Sequence, residues 1–545
     1  MTETQQAPWW RGAVIYQVYP RSFLDSNGDG IGDLPGIVRR LDHIAGLGVD
    51  AVWISPFFKS PMRDFGYDVA DYRSVDPMFG SNRDFERLIA EAHVRGLKVI
   101  VDMVLAHTSD EHAWFEESRR SRDNPKADWY VWAAPKPDGS PPNNWQSVFG
   151  GPSWQWDPRR SQYYLHHFLK SQPNLNWHNP AVVEAMLAET EFWLQHGVDG
   201  LRLDAITSLV HDAELRDNPP KTAASKADIA GGLNSPFAHQ EHVYDRDRPE
   251  IMDCFRALRS VTERHPDRFM VGEVADVDSI DATARYTSGR EALHTAYTFQ
   301  LTQRELTWER LRSVVERFEA AIGDGWATFA FSNHDCVRAV TRFAEMPSLS
   351  GDRPALAKLL MALLLSLRGS ACIYQGEELG LTEADLDFAL LQDPWGIEMY
   401  PANKGRDGCR TPIPWAADAP NAGFSTGSPW LPLWHEHLPL AVDRQDVDAG
   451  SVLNAYRRFL AWRRRQPTLI AGDFAMRDSA EPIIVFERRR DAERLLCAFN
   501  FSNEPAELPV EENWQATDVH GFAATLANGR LALPPFGAFF ARQAG

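Results

Sequence analysis

Three segments of the chain place an acidic residue at the end of an apolar run. They are Gly-Leu-Arg-Leu-Asp, ending at Asp204, Val-Gly-Glu, ending at Glu273, and Ser-Asn-His-Asp, ending at Asp335. Cleavage of a glycosidic bond needs two carboxyl groups, because one attacks the anomeric carbon while the other protonates the leaving oxygen. Arg202 lies two positions before Asp204, on the same side of an extended strand, where its charge would hold that carboxylate ionised. A single acid of this kind usually caps a helix or faces solvent, but three together indicate a catalytic site.

The acids belong to a regular alternation of apolar runs and amphipathic segments. The amphipathic segments, such as 81–95 and 180–196, would cover a parallel sheet by right-handed crossovers. Eight such units close a (β/α)8 barrel, the TIM barrel, whose catalytic groups lie at the C-terminal ends of the strands. The predicted strands are 13–19, 51–55, 98–103, 200–204, 269–273, 294–299, 328–333 and 371–375.

Three regions depart from this alternation. Residues 107–177 are rich in Trp, Pro, Asn and Ser and indicate a small domain inserted after strand three. Residues 377–430 are rich in Pro and Gly and indicate a long loop region. Within it, residues 386–404 would shape the site for the second sugar of a substrate. Beyond residue 466 short alternating runs predict a C-terminal β-sandwich. The predicted domains are therefore a barrel (1–106 and 178–465), an inserted domain (107–177) and a C-terminal sandwich (466–545).

Charge and cysteine usage limit the partners and the compartment. The net charge of −19 disfavours nucleic acid and anionic membranes, and it fits a small neutral substrate or a metal cation. No apolar run approaches the roughly 18 residues of a membrane helix. The N-terminus shows no secretory leader, and the five scattered cysteines form neither a disulfide framework nor metal-binding spacing. We therefore expect a cytoplasmic protein.

The sequence resembles the α-amylase family of glycoside hydrolases, within it the branch of α-glucosidases and oligo-1,6-glucosidases. The resemblance extends from 10–23 (WRGAVIYQVYPRSF) through the three acidic segments to 374–379 (YQGEEL) and 406–415 (RDGCRTPIPW), so it covers most of the chain. It implies a retaining double displacement with Asp204 as nucleophile, Glu273 as general acid and then base, and Asp335 as stabiliser of the transition state. In a retaining enzyme the two reacting carboxyl groups lie about 5–5.5 Å apart.

The same resemblance implies a pocket for one terminal glucose. Asp64 and Tyr67, in the segment Asp-Phe-Gly-Tyr, would line its blind end, and Arg410 would complete the clamp on the terminal hydroxyls. Such a closed end would make the enzyme exo-acting and disfavours an endo-acting amylase, because the clamp would block a long chain. His107 and His334 would hydrogen-bond the bound sugar, and Arg202 would accompany the nucleophile. Phe149 and Phe168 are predicted as aromatic walls.

Ala205, which follows the nucleophile, bears on linkage preference. With a small residue at this position, the sequence resembles relatives that prefer α-1,4 bonds. A Val at the same position would resemble relatives that prefer α-1,6 bonds. One side chain contributes only about 1–3 kcal/mol of discrimination. We therefore expect an α-glucosidase acting on maltose and short oligosaccharides. An α-1,6-specific or sucrose-active glucosidase, an isomerase and a transglucosylase remain open. A non-catalytic companion of a transporter is disfavoured, because all three acids are present and no anchor is seen.

Residues 25–33 (DSNGDGIGD) concentrate oxygen ligands on a glycine-rich loop, which suits a hard cation. The twelfth position of the loop is Gly36 and not Glu, so an EF-hand is excluded. The resemblance implies a structural metal site here. Its ligands would be the side chains of Asp25, Asn27, Asp29 and Asp33 and the carbonyl of Ile31, and the choice between Ca²⁺ and Mg²⁺ stays open.

Overall fold

The computed structural model describes residues 7–222, 235–275, 279–304, 306–511 and 513–543. Eight parallel strands form a closed barrel in which each strand pairs with its neighbours in the chain, and β1 pairs with β8. The strands are β1 Val14–Val18, β2 Ala51–Ile54, β3 Lys98–Val104, β4 Gly200–Asp204, β5 Phe269–Val274, β6 Thr295–Thr298, β7 Ala327–Ala330 and β8 Ser370–Tyr374. The predicted TIM barrel and all eight of its strands are confirmed.

The barrel strands are apolar on both faces because one face fills the barrel and the other packs against helices. The interior holds a separate cluster that includes Ile15, Trp53, Ile100 and Phe269. The helix Asn82–Val94 begins with a capping box and buries one apolar face against the barrel. The other helices of at least nine residues are Pro180–Gln195, Ile251–Thr262, Ser279–Thr287, Trp308–Ala321, Arg353–Leu364 and Val452–Arg463.

The region after β3 is an insertion with its own sheet, as predicted. It contains the helix Ala113–Ser118 and a three-stranded antiparallel sheet formed by Trp132–Ala133, Trp154–Asp157 and Gln162–Leu165. The region after β8 is mostly irregular. Its short helices are Pro394–Met399 and Val442–Val447. The bounds assigned to the domains remain predictions.

The C-terminal region is an antiparallel sheet domain, as predicted. A five-stranded sheet contains Asp473–Met476, Ile483–Arg490, Glu493–Asn500, Ala538–Gln543 and Trp514–Ala516, in this order. A three-stranded sheet contains Ala506–Pro509, Arg530–Leu533 and Thr525–Ala527. Residues of both sheets share one apolar core.

Two further features bear on the expectations from composition. All five cysteines are free, as their spacing predicted. No helix among the described residues has the length and apolar character needed to span a membrane.

Candidate active site

The C-terminal ends of β4, β5 and β7 bring the three predicted acids to one cavity. β4 and β5 are hydrogen-bonded neighbours in which Leu203 pairs with Gly272, so the residues that follow, Asp204 and Glu273, lie side by side. Asp335 approaches from the loop after β7. The cavity is lined by Asp64, Tyr67, His107, Val148, Phe149, Phe168, Asp204, Ala205, Thr207, Arg246, Glu273, Ala275, Phe299, Asp335, Trp395 and Arg406.

Arg202 connects the two predicted catalytic carboxyl groups. Its guanidinium lies 2.7 Å from an oxygen of Asp204 and 2.9 Å from an oxygen of Glu273, and the side chain is fully buried. The same group contacts Asp102 at 2.9 Å, and both side chains are fully buried. The Tyr297 hydroxyl accepts a further bond from it at 2.6 Å. One buried guanidinium therefore holds both carboxyl groups in place. The sequence predicted a contact of Arg202 with Asp204 only, and the structure adds the contact with Glu273.

Sequence reasoning missed Asp102 and Tyr297. Each is a polar residue inside an apolar strand, the same signal that identified the other acids. Asp102 lies in β3 beside Arg202, its partner in the strand register, and Tyr297 lies in β6. Burying a guanidinium requires carboxylates or hydroxyls around it, because an unpaired buried charge is strongly destabilising. Both residues therefore position Arg202.

Both predicted catalytic carboxyl groups have raised pKa values. Burial raises the pKa of Glu273 to about 8, and the negative charges of Asp204 and Asp335 reinforce the shift against the opposing Arg202. Burial also raises the pKa of Asp204 to about 7, where Arg202 opposes the shift from a hydrogen-bonding distance of 2.7 Å. The pair therefore retains a proton near neutral pH, as an acid catalyst beside an ionised nucleophile requires.

The chain turns sharply after Asp204. Ala205 adopts a left-handed backbone conformation with φ 43° and ψ 42°, and its N–H donates to Glu273 at 2.9 Å. The left-handed conformation is costly for a residue with a β-carbon and indicates a local constraint. The turn gives Glu273 a donor from the residue next to Asp204. Ala205 itself lines the cavity, where linkage preference was predicted to depend on it.

Asp335 is the most strongly ionised acid of the cavity. Its oxygen lies 2.8 Å from Arg410 and 3.4 Å from Arg406, and the His334 ring is 3.4 Å away. Burial opposes ionisation, but its neighbours hold the pKa of Asp335 well below its usual range. The His334 ring is the largest of the influences that lower the pKa of Asp335, followed by Arg406, Arg410 and Arg202, while burial lowers the pKa of His334 itself to about 3. A permanent carboxylate suits the predicted stabilising role.

The arginine that contacts Asp64 is Arg406, so the prediction that Arg410 completes this clamp is wrong. Arg406 donates to Asp64 at 2.8 Å and to Asp393 at 2.7 Å. Arg410 is 1% exposed, lies behind Asp335 and donates to the His334 carbonyl at 2.7 Å. Both arginines belong to the segment 406–415, and the loop conformation decides which one reaches Asp64. Arg406, the first residue of that motif, was within reach of sequence reasoning.

The predicted sugar-binding residues form one hydrogen-bond network. The Tyr67 hydroxyl contacts Nε2 of His334 at 2.5 Å and donates to Asp102 at 3.2 Å. The rings of Tyr67 and His334 are stacked, with centroids 5.4 Å apart. His107 contacts the Tyr67 carbonyl at 3.1 Å through Nε2, its Nδ1 is buried without a partner, and burial lowers its pKa to about 4. Neutral His107 thus keeps one ring nitrogen available for a ligand.

Aromatic side chains form the remaining wall. Phe149 and Phe168 line the cavity as predicted, with ring centroids 5.8 Å apart. Trp395 stacks on Phe149 at 5.8 Å and was not predicted. It comes from the helix Pro394–Met399 within the long loop 386–404, so that loop supplies part of the cavity, as the sequence suggested. Nothing in the local pattern distinguished Trp395 from a core tryptophan.

The loop 25–33 has the oxygen donors of a hard-cation site, but its carboxylates do not converge on one point. Both oxygens of Asp25 accept backbone N–H groups of the same loop at 2.7–2.9 Å. Asp33 caps the helix Leu34–Arg39 and accepts from Ser26. Across the described residues, no group of three or more His, Cys, Asp or Glu side chains is arranged to hold a metal. Metal binding by this loop therefore stays a prediction.

A TIM barrel that brings Asp204, Glu273 and Asp335 to one cavity beside the C-terminal ends of its strands defines a class of enzyme, and comparison with known proteins agrees. Residues 17–472 match the alpha-amylase family, in the part described as alpha amylase, catalytic domain. The chain belongs to the alpha-amylase family and is a glycoside hydrolase of that family.

Individual relatives refine this assignment. The chain is 53% identical to a probable alpha-glucosidase of Rhizobium meliloti (strain 1021), over 98% of this chain and 97% of that protein. It is 37% identical to an oligo-1,6-glucosidase of Heyndrickxia coagulans, over 93% and 95% of the two chains. A solved alpha-glucosyl transfer enzyme, XgtA, is 53% identical and superposes with a TM-score of 0.96, covering 99% of this chain and 100% of that one. All three similarities span essentially the whole chain.

Proposed function

We propose that this protein is a retaining, exo-acting α-glucosidase that removes terminal α-1,4-linked glucose from maltose and short oligosaccharides. The observation that carries the proposal is Arg202, whose guanidinium contacts both Asp204 and Glu273. A shared contact with one cation holds the two carboxyl groups close together, as a retaining enzyme requires. The similarity to a probable alpha-glucosidase supports the substrate class.

The mechanism follows from the protonation states of the pair. Asp204, ionised beside Arg202, attacks the anomeric carbon while protonated Glu273 gives its proton to the glycosidic oxygen. The product is a β-glucosyl ester of Asp204 and a free leaving sugar. Glu273 is now a carboxylate and takes a proton from water, which attacks the ester and releases α-glucose. Asp335 remains ionised throughout and stabilises positive charge on the sugar ring in the transition state.

Exo action is proposed from the contact between Asp64 and Arg406. These side chains are 6% and 7% exposed, and both line the cavity. A chain that continued past the terminal glucose would collide with this buried pair. The clamp would instead bind the hydroxyls of one non-reducing glucose, because a carboxylate and a guanidinium together offer acceptors and donors.

The test is the anomeric configuration of the first product. Purified protein is mixed with maltose, and proton NMR records the glucose anomers before mutarotation equilibrates them. We expect α-glucose first. Early β-glucose would contradict retention. Cleavage of isomaltose or sucrose in place of maltose would contradict the linkage preference and leave the class of enzyme intact.

Transfer of glucose to another hydroxyl is the second candidate activity. The glucosyl ester reacts with whichever hydroxyl reaches it, and the similar structure is named an alpha-glucosyl transfer enzyme. The other candidates, α-1,6 or sucrose specificity, share the same first step. We further propose that the substrates are small and neutral and that the protein works in the cytoplasm, consistent with its free cysteines.

Replacing Ala205 by Val tests the proposed linkage preference. The residue lines the cavity, so a larger side chain would reorient the second sugar. We expect the ratio of kcat/KM on isomaltose to that on maltose to rise about tenfold, within the discrimination that one side chain provides. A β-branched residue at φ 43° should also lower the stability by about 1–3 kcal/mol. Kinetics on both disaccharides and thermal unfolding measure the two effects, with Ala205→Ser as a control of similar size. An unchanged ratio would remove Ala205 from the specificity argument.

We also propose that the loop 25–33 binds a structural Ca²⁺ or Mg²⁺ ion. Binding to the folded state alone would stabilise the protein by about 2.7 kcal/mol at one hundred times Kd. We expect EDTA to lower Tm, Ca²⁺ to restore it, and Asp29→Ala to abolish the response. Asp138→Ala is the control, because Asp138 lies in a turn outside this loop. An equal response of wild type and Asp29→Ala would contradict the site.

A further inference from the structure

Arg246 is a buried arginine of the cavity that no step of the proposed mechanism uses. It is 5% exposed and lies in the segment between β4 and β5. Its guanidinium lines the cavity, where Nη1 donates to the Ala275 carbonyl at 3.2 Å. Nε is buried without a hydrogen-bond partner. Across the described part of the chain this guanidinium makes no ion pair, which is unusual because buried charges are normally paired.

The buried carboxylate of Asp245 interacts electrostatically with Arg246 but does not hydrogen-bond to its guanidinium. The oxygens of Asp245 accept from Asn218 at 2.9 Å and contact His242 at 2.8 Å. On the other side the guanidinium faces the Phe237 ring at 5.1 Å. Donor capacity of Arg246 thus remains for a group that enters the cavity.

The position of Arg246 identifies which part of a substrate it would meet. The proposed clamp for the terminal glucose is formed by Asp64 and Arg406, whereas the Ala275 carbonyl that accepts from Arg246 lies two residues after Glu273. Glu273 must face the glycosidic oxygen, so a donor held beside the segment of Glu273 would meet the leaving group. Thr207 also lines the cavity, in the turn after β4, and its buried hydroxyl has no hydrogen-bond partner.

We propose that Arg246, assisted by Thr207, is the specificity-determining residue of the leaving-group subsite and binds hydroxyl groups of the second sugar. A hydrogen bond from a charged donor to a hydroxyl is stronger than one between two neutral groups. The free donors of the subsite would gain hydrogen-bond partners only when a hydroxylated leaving group or acceptor is present. The inference rests on the proposed glucosidase activity. It adds that the enzyme discriminates between sugar and non-sugar leaving groups at this residue.

The test compares two substrates that share the glucose and differ in the leaving group. Maltose offers a hydroxylated leaving group, and phenyl α-glucoside offers none. Arg246→Met keeps the apolar length and removes the donors. We expect kcat/KM on maltose to fall about 10- to 100-fold. The value of kcat/KM on phenyl α-glucoside should change less than about threefold, because Arg246 would lie outside the glucose subsite. Thr207→Val should lower maltose cleavage by about 3- to 10-fold, and Arg246→Lys should restore part of the loss.

Arg248→Met is the matched control. Arg248 lies in the same segment, contacts the Val243 carbonyl and Asp212, and does not line the cavity. We expect it to leave the ratio of the two substrates unchanged. Equal losses on both substrates in Arg246→Met, or no loss on maltose in both Arg246→Met and Thr207→Val, would overturn the subsite. Failure of the wild type to cleave either substrate would instead overturn the proposed function.

Discussion

Asp204→Asn is expected to reduce cleavage of maltose on the order of 10⁵-fold or more, the scale observed when a covalent nucleophile is removed. An amide cannot form the glucosyl ester, and it leaves Arg202 with one anionic partner fewer. Glucose release by the purified variant measures the loss. The fold should persist, because Asp102 and Glu273 still contact Arg202 at 2.9 Å. Circular dichroism and thermal unfolding check this.

Asp102→Asn is the matched control for the nucleophile. Asp102 also contacts Arg202 and is buried, but it does not line the cavity. We expect a loss of about 10- to 100-fold, the effect of disturbing the group that orients the reacting carboxyl groups. Retained activity in Asp204→Asn, or equal losses in both variants, would contradict the assignment of Asp204.

Chemical rescue provides a second criterion for the nucleophile. Asp204→Gly opens space on one face of the anomeric carbon, so azide supplied to this variant with α-glucosyl fluoride should attack from that face. The expected product is β-glucosyl azide, formed by a single inversion as fluoride leaves. NMR identifies the anomer. An α-azide, or a product formed equally by the wild type, would argue against this position for the nucleophile.

Glu273→Gln is expected to lower maltose cleavage by about 10²- to 10⁴-fold, the range for loss of a general acid. The loss in the first step should be much smaller with 2,4-dinitrophenyl α-glucoside, because dinitrophenolate leaves without protonation. Water is then no longer activated, so the glucosyl ester should accumulate and release of dinitrophenolate should show a burst. Stopped-flow absorbance measures the burst. Equal losses on the two substrates would contradict the role of Glu273 as acid.

The same residue predicts the alkaline limb of the activity profile. Burial and the neighbouring Asp204 raise the pKa of Glu273 to about 8. Because the protonated form is required, kcat/KM on maltose should fall about tenfold per pH unit above this value. The limb should disappear in Glu273→Gln. Glu319→Gln is the control, because Glu319 also has a raised pKa, caused by burial, but lies on an outer helix. A limb that persists in Glu273→Gln would belong to another group.

The sequence by itself determined the barrel and the identity of its acids. A parallel strand buried on both faces must be apolar along its length, so eight runs separated by amphipathic segments specify the strands of a barrel. An acid that closes such a run is conspicuous, and Asp204, Glu273 and Asp335 were identified in this way. The structure brings these three acids to one cavity. Their catalytic roles remain predictions.

Only the tertiary structure decided which groups touch the acids. Arg406 and Arg410 are four residues apart in an irregular segment, and no periodic pattern tells which one reaches Asp64. The answer depends on Asp393, which pairs with Arg406 from the distant helix Pro394–Met399. The shared contacts of Arg202 likewise required strands β3, β4 and β5 to be placed side by side.

The raised pKa values of Asp204 and Glu273, and the burial of Arg246 without an ion pair among the described residues, also belong to the tertiary structure. The pKa of a carboxyl group depends on burial and on charges that converge from several strands, which a linear sequence does not contain. An arginine without a carboxylate partner is recognisable only when its neighbours in space are known. The sequence therefore determined the fold and the chemical groups, while folding decided their distances, their charges and the side of the cavity that each one faces.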